Sequence, residues 1–324
     1  MAKLIRRLPI FLILKVGILS TFLFAIIWGF LITFDKDVLG MSSCKCPTHD
    51  YETISDTRKK ALSNHRLCIL VPFRERFEEL MEFAPHMKEF LNNQHVDYKI
   101  VVVNQLDKYR FNRASLINAG FLETRSECDY VAMHDVDLLP LSNELVYAFP
   151  EEGQPLHLAA PHLHPIYHYK NYAGGILLMQ SSDFEKLNGL SNKYWGWGRE
   201  DDEFFVRMKK AKFTITRPGN LTTGYKSFRH VHDRRKRPRD YNRYFNQSEK
   251  TRRLDRETGV TTVKYAVDNV KELIIDGAPV TFINIYLECN VDATPWCLQL
   301  EDHEFYMKGL EEKNKLKDIK TEKT

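Results

Sequence analysis

The sequence predicts an α/β domain, a mostly parallel central sheet flanked by helices, set behind a single N-terminal membrane-spanning helix. Three observations predict it. One long uncharged apolar run lies near the amino end, buried-strand runs alternate with helical stretches beyond residue 66, and each strand ends in a polar cluster. Composition agrees: 43% hydrophobic and 28% charged residues over a length of 324 is globular rather than disordered. A net charge of +4 is too small to make nucleic acid the expected partner.

The first element is the apolar run from Val16 to Phe34, nineteen residues without a charge. As a helix it is roughly 28 Å long, close to the thickness of a bilayer core. Cleaved signals have shorter apolar stretches followed by a small-residue cleavage site; here Asp35, Lys36 and Asp37 follow directly. Lys3, Arg6, Arg7 and Lys15 precede the run and place the amino terminus in the cytosol. The expected organisation is a cytosolic tail over 1–15, a signal anchor over 16–34, a polar stem over 35–66, a globular domain over 67–306 and a polar tail over 307–324.

Within the domain, LCILVPF from Leu67 is a continuous apolar run, as a strand buried on both faces requires. Helical spacing follows from Phe77 to Gln94, then a second buried strand, YKIVVVNQ. A further helical stretch from Asn112 leads into DYVAMHD, a third strand. Strand, helix, strand, helix, strand makes a parallel sheet with right-handed crossovers. Ligands in such sheets bind beyond the carboxyl ends of the strands. Those ends carry Arg74 and Arg76, then Asn104, then Asp135 and Asp137.

The six cysteines form no metal-type pattern. Cys289 and Cys297 are the best-placed pair, flanking a short loop that contains Pro295. Cys68 and Cys128 lie in apolar strand-like runs and read as buried thiols. Cys44 and Cys46 fall in the stem, where free, locally paired and cross-linked states all stay open. Asn220-Leu-Thr and Asn246-Gln-Ser are N-glycosylation sequons.

Three clusters carry chemistry. In HDVDLLP, Asp135 and Asp137 are two apart on an extended segment and face the same way. Paired carboxylates there suit a divalent cation that neutralises a nucleoside diphosphate; the plain alternative is a solvated turn. YWGWGREDDEFF places Trp195 and Trp197 among glycines, ahead of Glu200, Asp201, Asp202 and Glu203. Aromatic rings beside carboxylates suit a sugar, with its apolar face stacked and its hydroxyls bonded to the acids; the alternative is a helix start whose dipole favours acids. RHVHDRRKRPRDYNR holds His230 and His232, again two apart, and with Asp137 they make a mixed oxygen and nitrogen donor set that suits Mn²⁺. Its basic residues read either as a solvated loop or as contacts to a diphosphate or an acidic acceptor.

Five segments in this order, VPFRER at 71–76, FNRA at 111–114, DVD at 135–137, YAGG at 172–175 and WGWGREDD at 195–202, resemble the β-1,4-galactosyltransferase family. The HVHD form resembles the branch of that family that acts on xylose; relatives acting on N-acetylglucosamine typically have a methionine and one histidine there. The resemblance covers roughly Leu67 to Tyr306. It implies a GT-A fold, UDP-galactose as donor, Mn²⁺ as cofactor, and galactose transfer to the 4-hydroxyl of xylose on serines of a proteoglycan core protein. It further implies a type II Golgi membrane protein with a lumenal catalytic domain.

Carried over residue by residue, the resemblance assigns Pro72, Phe73, Arg74, Glu75 and Arg76, with Phe111, Asn112 and Arg113, to the uridine side of the donor. Asp137, His230 and His232 become metal ligands, with Asp135, Val136 and Val231 beside the nucleotide. Asp201 becomes the general base and Asp202 the acceptor-binding acid. Glu200 meets donor galactose, and Trp197 spans donor and acceptor. Tyr167 and Arg239 fall on the donor side; Tyr169, Tyr172, Gly198, Arg199 and Arg243 fall on the acceptor side. The loop from about Gly219 through Arg243 is expected to close over bound donor. Competing expectations are a relative using another UDP-sugar or acceptor and, in a different class, a catalytically silent membrane-anchored lectin or scaffold.

Overall fold

A computed structural model describes residues 64–219, 221, 226–252 and 254–321. The expected tail and anchor over 1–34, the stem up to residue 63, Cys44, Cys46 and the sequon residue Asn220 lie outside the described residues. Among the described residues, no helix is long and apolar enough to cross a membrane.

The domain is built on strand β1 (Arg66–Phe73), whose residues alternate between two separate cores. Leu67, Ile69, Val71 and Phe73 join one hydrophobic cluster and Cys68 and Leu70 the other. Both faces are covered, which is why the run is apolar without alternation. Helix α1 (Phe77–Asn93) covers the first face with Leu80, Phe83, Ala84, Met87, Phe90 and Leu91. Strand β2 (Asp97–Gln105) then pairs with β1 in parallel. Helix α2 (Arg113–Thr124) covers the second face with Leu116, Ile117 and Phe121. Each fully buried aliphatic side chain contributes about 1.5–3 kcal/mol, so truncating Ile69 to Ala would cost about 2–5 kcal/mol. Strand β3 (Tyr130–His134) pairs in parallel on the other side of β1.

The remaining strands are β4 (Leu138–Pro140), β5 (Leu156–His157), β6 (Ile176–Gln180), β7 (Phe228–His230), β8 (Tyr265–Ile275) and β9 (Ala278–Leu287). The main sheet has the order β5-β6-β3-β1-β2-β9-β8. Its centre is parallel, but β6 returns antiparallel to β3, β5 to β6, and β8 to β9. The sheet is therefore mixed, not mostly parallel: each flank closes with antiparallel strands, which need no crossover helix. A second sheet contains only β4 and β7. Helices α3 (Ser181–Lys186), α4 (Glu200–Lys210), α5 (Gln247–Lys250) and α6 (Leu300–Thr321) complete the elements used below. Helix α6 runs through the segment read as a polar tail from Met307.

Cys68 and Cys128 are not free thiols. They form a disulfide with their Cα atoms 5.7 Å apart. The parallel pairing of β1 and β3 sets Cys68 opposite Val131, so the approach to β3 brings Cys128 alongside. Cys289 and Cys297 form a second disulfide around the short 3-10 turn Pro295–Cys297.

Candidate active site

A cleft of about 740 Å³ opens beyond the carboxyl ends of β1 and β3. On one side of it, Pro72, Arg74, Glu75 and Arg76 follow from β1, and Phe111 and Arg113 lead into α2. Arg74 donates to the carbonyls of Tyr109 at 2.7 Å and Asp107 at 2.9 Å, and lies 6.0 Å from the Phe111 ring. It therefore fixes the loop that presents Phe111. Arg113 is nearly buried and holds Asp135 at 2.7 Å, with Glu200 at 3.8 Å. Burial disfavours its charge, but Asp135 and Glu200 outweigh this and raise its pKa.

Three expected donor contacts do not line the cleft. Phe73 points away from Pro72 and Arg74, as strand alternation requires, and packs edge-on against Phe77 and Phe282. Asn112 is fully buried; its side chain accepts from Ser115 N and so caps α2. Val231 packs on the first core, and its N–H donates to the carbonyl of Asp137 at 2.8 Å.

That last bond belongs to the small sheet, which brings distant segments together. Pairing of β4 with β7 sets Leu138 opposite His230. As a result His232 Nδ1 lies 3.2 Å from Asp137 Oδ2, and His230 Nε2 lies 3.8 Å from Asp137 Oδ1. Burial alone would raise the Asp137 pKa, but the two imidazoles outweigh it and leave the carboxyl below its ordinary range. Arg76 Nη1 lies 3.3 Å from His232 Nδ1 and pairs with the buried Glu79 at 3.2 Å. His232 Nε2 is buried with no hydrogen-bond partner among the described residues. Among the described residues no three such side chains are closed into a finished metal cage. The donor chemistry and the unpartnered Nε2 nonetheless fit a divalent cation of the Mn²⁺ type.

Across the cleft, helix α4 begins with four acids, as the dipole favours. The structure divides them. Glu200, Asp201 and Asp202 line the cleft. Glu203 instead accepts from Arg207 Nε with both carboxylate oxygens, at 2.9 and 3.0 Å, a buried interaction that anchors the helix. Asp201 sits against Gly174, with Oδ2 2.6 Å from where a β-carbon on that glycine would lie. Burial, with Glu200 and Asp202 adjacent, pushes the Asp201 pKa up to about 8. Tyr167, Tyr169 and Tyr172 wall the cleft beside Trp197, Gly198 and Arg199. Arg239 stacks over the Trp197 ring at 4.7 Å and the Tyr167 ring at 5.6 Å, and Arg243 donates to the Trp197 carbonyl at 2.6 Å. Asn246 of the second sequon is exposed.

His164 and Tyr241 are among the lining residues that the sequence did not single out. His164 accepts from the N–H groups of Ile166 and Tyr167, which leaves Nδ1 unprotonated, and burial lowers its pKa to about 3. Tyr241 packs edge-on against Trp197 at 4.9 Å. The only signal was the histidine-rich and aromatic texture of PHLHPIYHY and RDYNR, which does not separate wall residues from solvated ones.

A cleft with arginines at its strand ends, a carboxylate–imidazole cluster and an acid-rich helix start beside aromatic rings fits a glycosyltransferase domain of GT-A-like architecture. Sequence models agree: residues 53–150 match the N-terminal region of glycosyl transferase group 7, and residues 154–231 match a model described as the N-terminal domain of galactosyltransferase. Mouse β-1,4-galactosyltransferase 7 is 56% identical over 234 residues, covering 72% of this chain and 71% of its own. The xylosylprotein 4-β-galactosyltransferase of Caenorhabditis elegans is 48% identical over 247 residues, covering 75% and 85%. A solved structure of a mutant Drosophila β-1,4-galactosyltransferase 7 in complex with manganese, UDP-Gal and xylobiose superposes with a TM-score of 0.71 at 54% identity, covering 72% of this chain and 99% of that one. The chain belongs to the β-1,4-galactosyltransferase family.

Proposed function

We propose that the chain transfers galactose from UDP-galactose to the 4-hydroxyl of xylose on serines of proteoglycan core proteins, with inversion at the anomeric carbon, as a step of glycosaminoglycan linker synthesis. One observation carries the reading: Asp201, its pKa pushed to about 8, faces a cleft that also holds the Asp137, His230 and His232 cluster. The HVHD pair and the xylose-directed relatives support xylose as acceptor.

In this reading Asp201 takes the proton from the acceptor hydroxyl as its oxygen attacks the anomeric carbon. The glycosidic bond forms as the bond to UDP breaks, so no covalent enzyme intermediate is needed. Asp202 holds the acceptor, Glu200 the donor galactose, and Trp197 spans both. Phe111 stacks on the base, and Arg76 and Arg113 place positive charge where UDP departs. Asp137, His230 and His232 would hold Mn²⁺, which supplies further charge to offset that on the diphosphate. The apolar run from Val16 to Phe34 and its basic flank support a type II membrane protein with a lumenal catalytic domain, and kinship with the family supports the Golgi as its location.

The test is galactose transfer by the detergent-solubilised full chain with UDP-galactose and Mn²⁺, offering a β-xyloside and N-acetylglucosamine in parallel, beside an Asp201→Asn variant. Transfer to the xyloside alone, abolished in the variant, is expected. Transfer to N-acetylglucosamine alone would keep the family and overturn the acceptor, and transfer to neither would overturn the reading.

A further inference from the structure

Arg110 is 1% exposed, yet none of the roles above uses it. A buried arginine is costly unless its donors are met, and here they are met by four residues of three segments. Nε donates to Asp240 Oδ2 at 2.6 Å. Nη1 donates to Gln247 Oε1 at 3.1 Å and to the Trp296 carbonyl at 2.9 Å. Nη2 donates to the Asn242 carbonyl at 2.8 Å, and the guanidinium lies 5.1 Å from the Tyr244 ring centroid.

Gly196 lies directly against this guanidinium. A β-carbon there would come within 2.1 Å of Nη2, and the residue has φ +84°, so only glycine fits on both counts. The next residue is Trp197. Its N–H donates to the carbonyl of Asp240 at 2.9 Å, and its own carbonyl accepts from Arg243 at 2.6 Å. Both polar backbone groups of Trp197 are therefore held by the segment that Arg110 grips through Asp240 and Asn242, while Arg110 supports the chain from below at Gly196.

We infer that Arg110 is a positioning residue for Trp197, and through it for the acceptor sugar. The inference rests on the proposed function, in which Trp197 spans donor and acceptor. The planar fork is what does this: lysine would keep the charge but could not bond Asp240, Gln247, Trp296 and Asn242 together.

The test uses Arg110→Lys and Asp240→Asn in the full chain, each also in a Trp197→Phe background. Because the Asp240 side chain is 35% exposed, Asp240→Asn carries the test if Arg110→Lys does not fold. Calorimetry reads β-xyloside affinity in the presence of UDP and Mn²⁺, and UDP affinity with Mn²⁺ alone, so neither readout depends on turnover. Xyloside affinity is expected to fall about tenfold in each variant, with UDP affinity within about twofold. In the Trp197→Phe background the same substitutions should cost less than about twofold, because the effect passes through Trp197. Unchanged xyloside affinity, equal loss of both ligands, or a full-sized loss in the Trp197→Phe background would each overturn the inference. If the wild-type chain binds UDP but no xyloside, the proposed function falls and the inference with it; if it binds both and the variants lose them in parallel, only the inference falls.

Discussion

Gly174 and Asp201 meet with no side chain between them: a β-carbon on the glycine would lie 2.6 Å from Oδ2 of the acid and 2.8 Å from the Tyr172 ring. The approach to β6 and the first turn of α4 are thus in contact where the acid faces the cleft. Gly174→Ala should displace Asp201 or Tyr172 by a fraction of an ångström. Turnover is expected to fall at least about tenfold, with UDP affinity nearly unchanged, since the proposed nucleotide side of the cleft is untouched. Steady-state kinetics and calorimetry with UDP check this.

The Asp201 pKa of about 8 gives a pH dependence with a definite sign. The proposed base acts as its carboxylate, so kcat/KM should rise with pH through about 8. Stability should move the opposite way. A carboxyl whose folded pKa lies above its unfolded value contributes stability fully below the unfolded value, and that contribution is lost as pH rises through the folded one. Asp201→Asn should therefore be inactive, yet lose less thermal stability than the wild type between about pH 5 and 9. Melting curves across that range decide it.

The proposed metal ligands predict a graded response. Chelation should abolish transfer and Mn²⁺ should restore it. His232→Gln, which removes the imidazole whose Nε2 has no partner among the described residues, should raise the Mn²⁺ concentration for half-activity at least about tenfold. Asp137→Ala should respond more severely because it removes the carboxylate that faces both imidazoles. Titration of activity with Mn²⁺ measures both.

The two disulfides should differ in worth. Cys68–Cys128 closes a separation of 60 residues and Cys289–Cys297 one of 8. On loop-closure grounds the first contributes about 4 kcal/mol and the second about 2.5 kcal/mol. Denaturant unfolding of Cys68→Ala/Cys128→Ala should thus show the larger loss. The smaller bridge should affect xyloside affinity more, because its loop supplies the Trp296 carbonyl to Arg110.

The sequence was legible where one physical signal dominates. The runs that became β1, β2 and β3 are apolar because both faces are covered, and Asp137 and the histidine pair stand out by residue type. The resemblance then supplied the order of the site segments. What stayed hidden depends on partners far along the chain. Phe73 and Asn112 fell inside site motifs, but alternation turned one into the core and capping took up the other. Glu203 looks like its three acidic neighbours until Arg207, one helical turn on, claims it. Cys68 and Cys128 gave no sign of pairing because residues flanking a buried strand read the same as thiols or as a bridge. Strands β4 and β7 have three residues each, too short for any periodicity.

The pairing of β4 with β7 also ties metal capture to the folded domain. The proposed donors come together only when these two strands meet across a long stretch of chain. Strand β9, which pairs with β2 in the main sheet, lies beyond both histidines in sequence, and a domain folds as a unit. Manganese affinity would therefore report completion of the whole domain rather than of any local segment, and a chain cut short before Phe228 would lack both histidine donors.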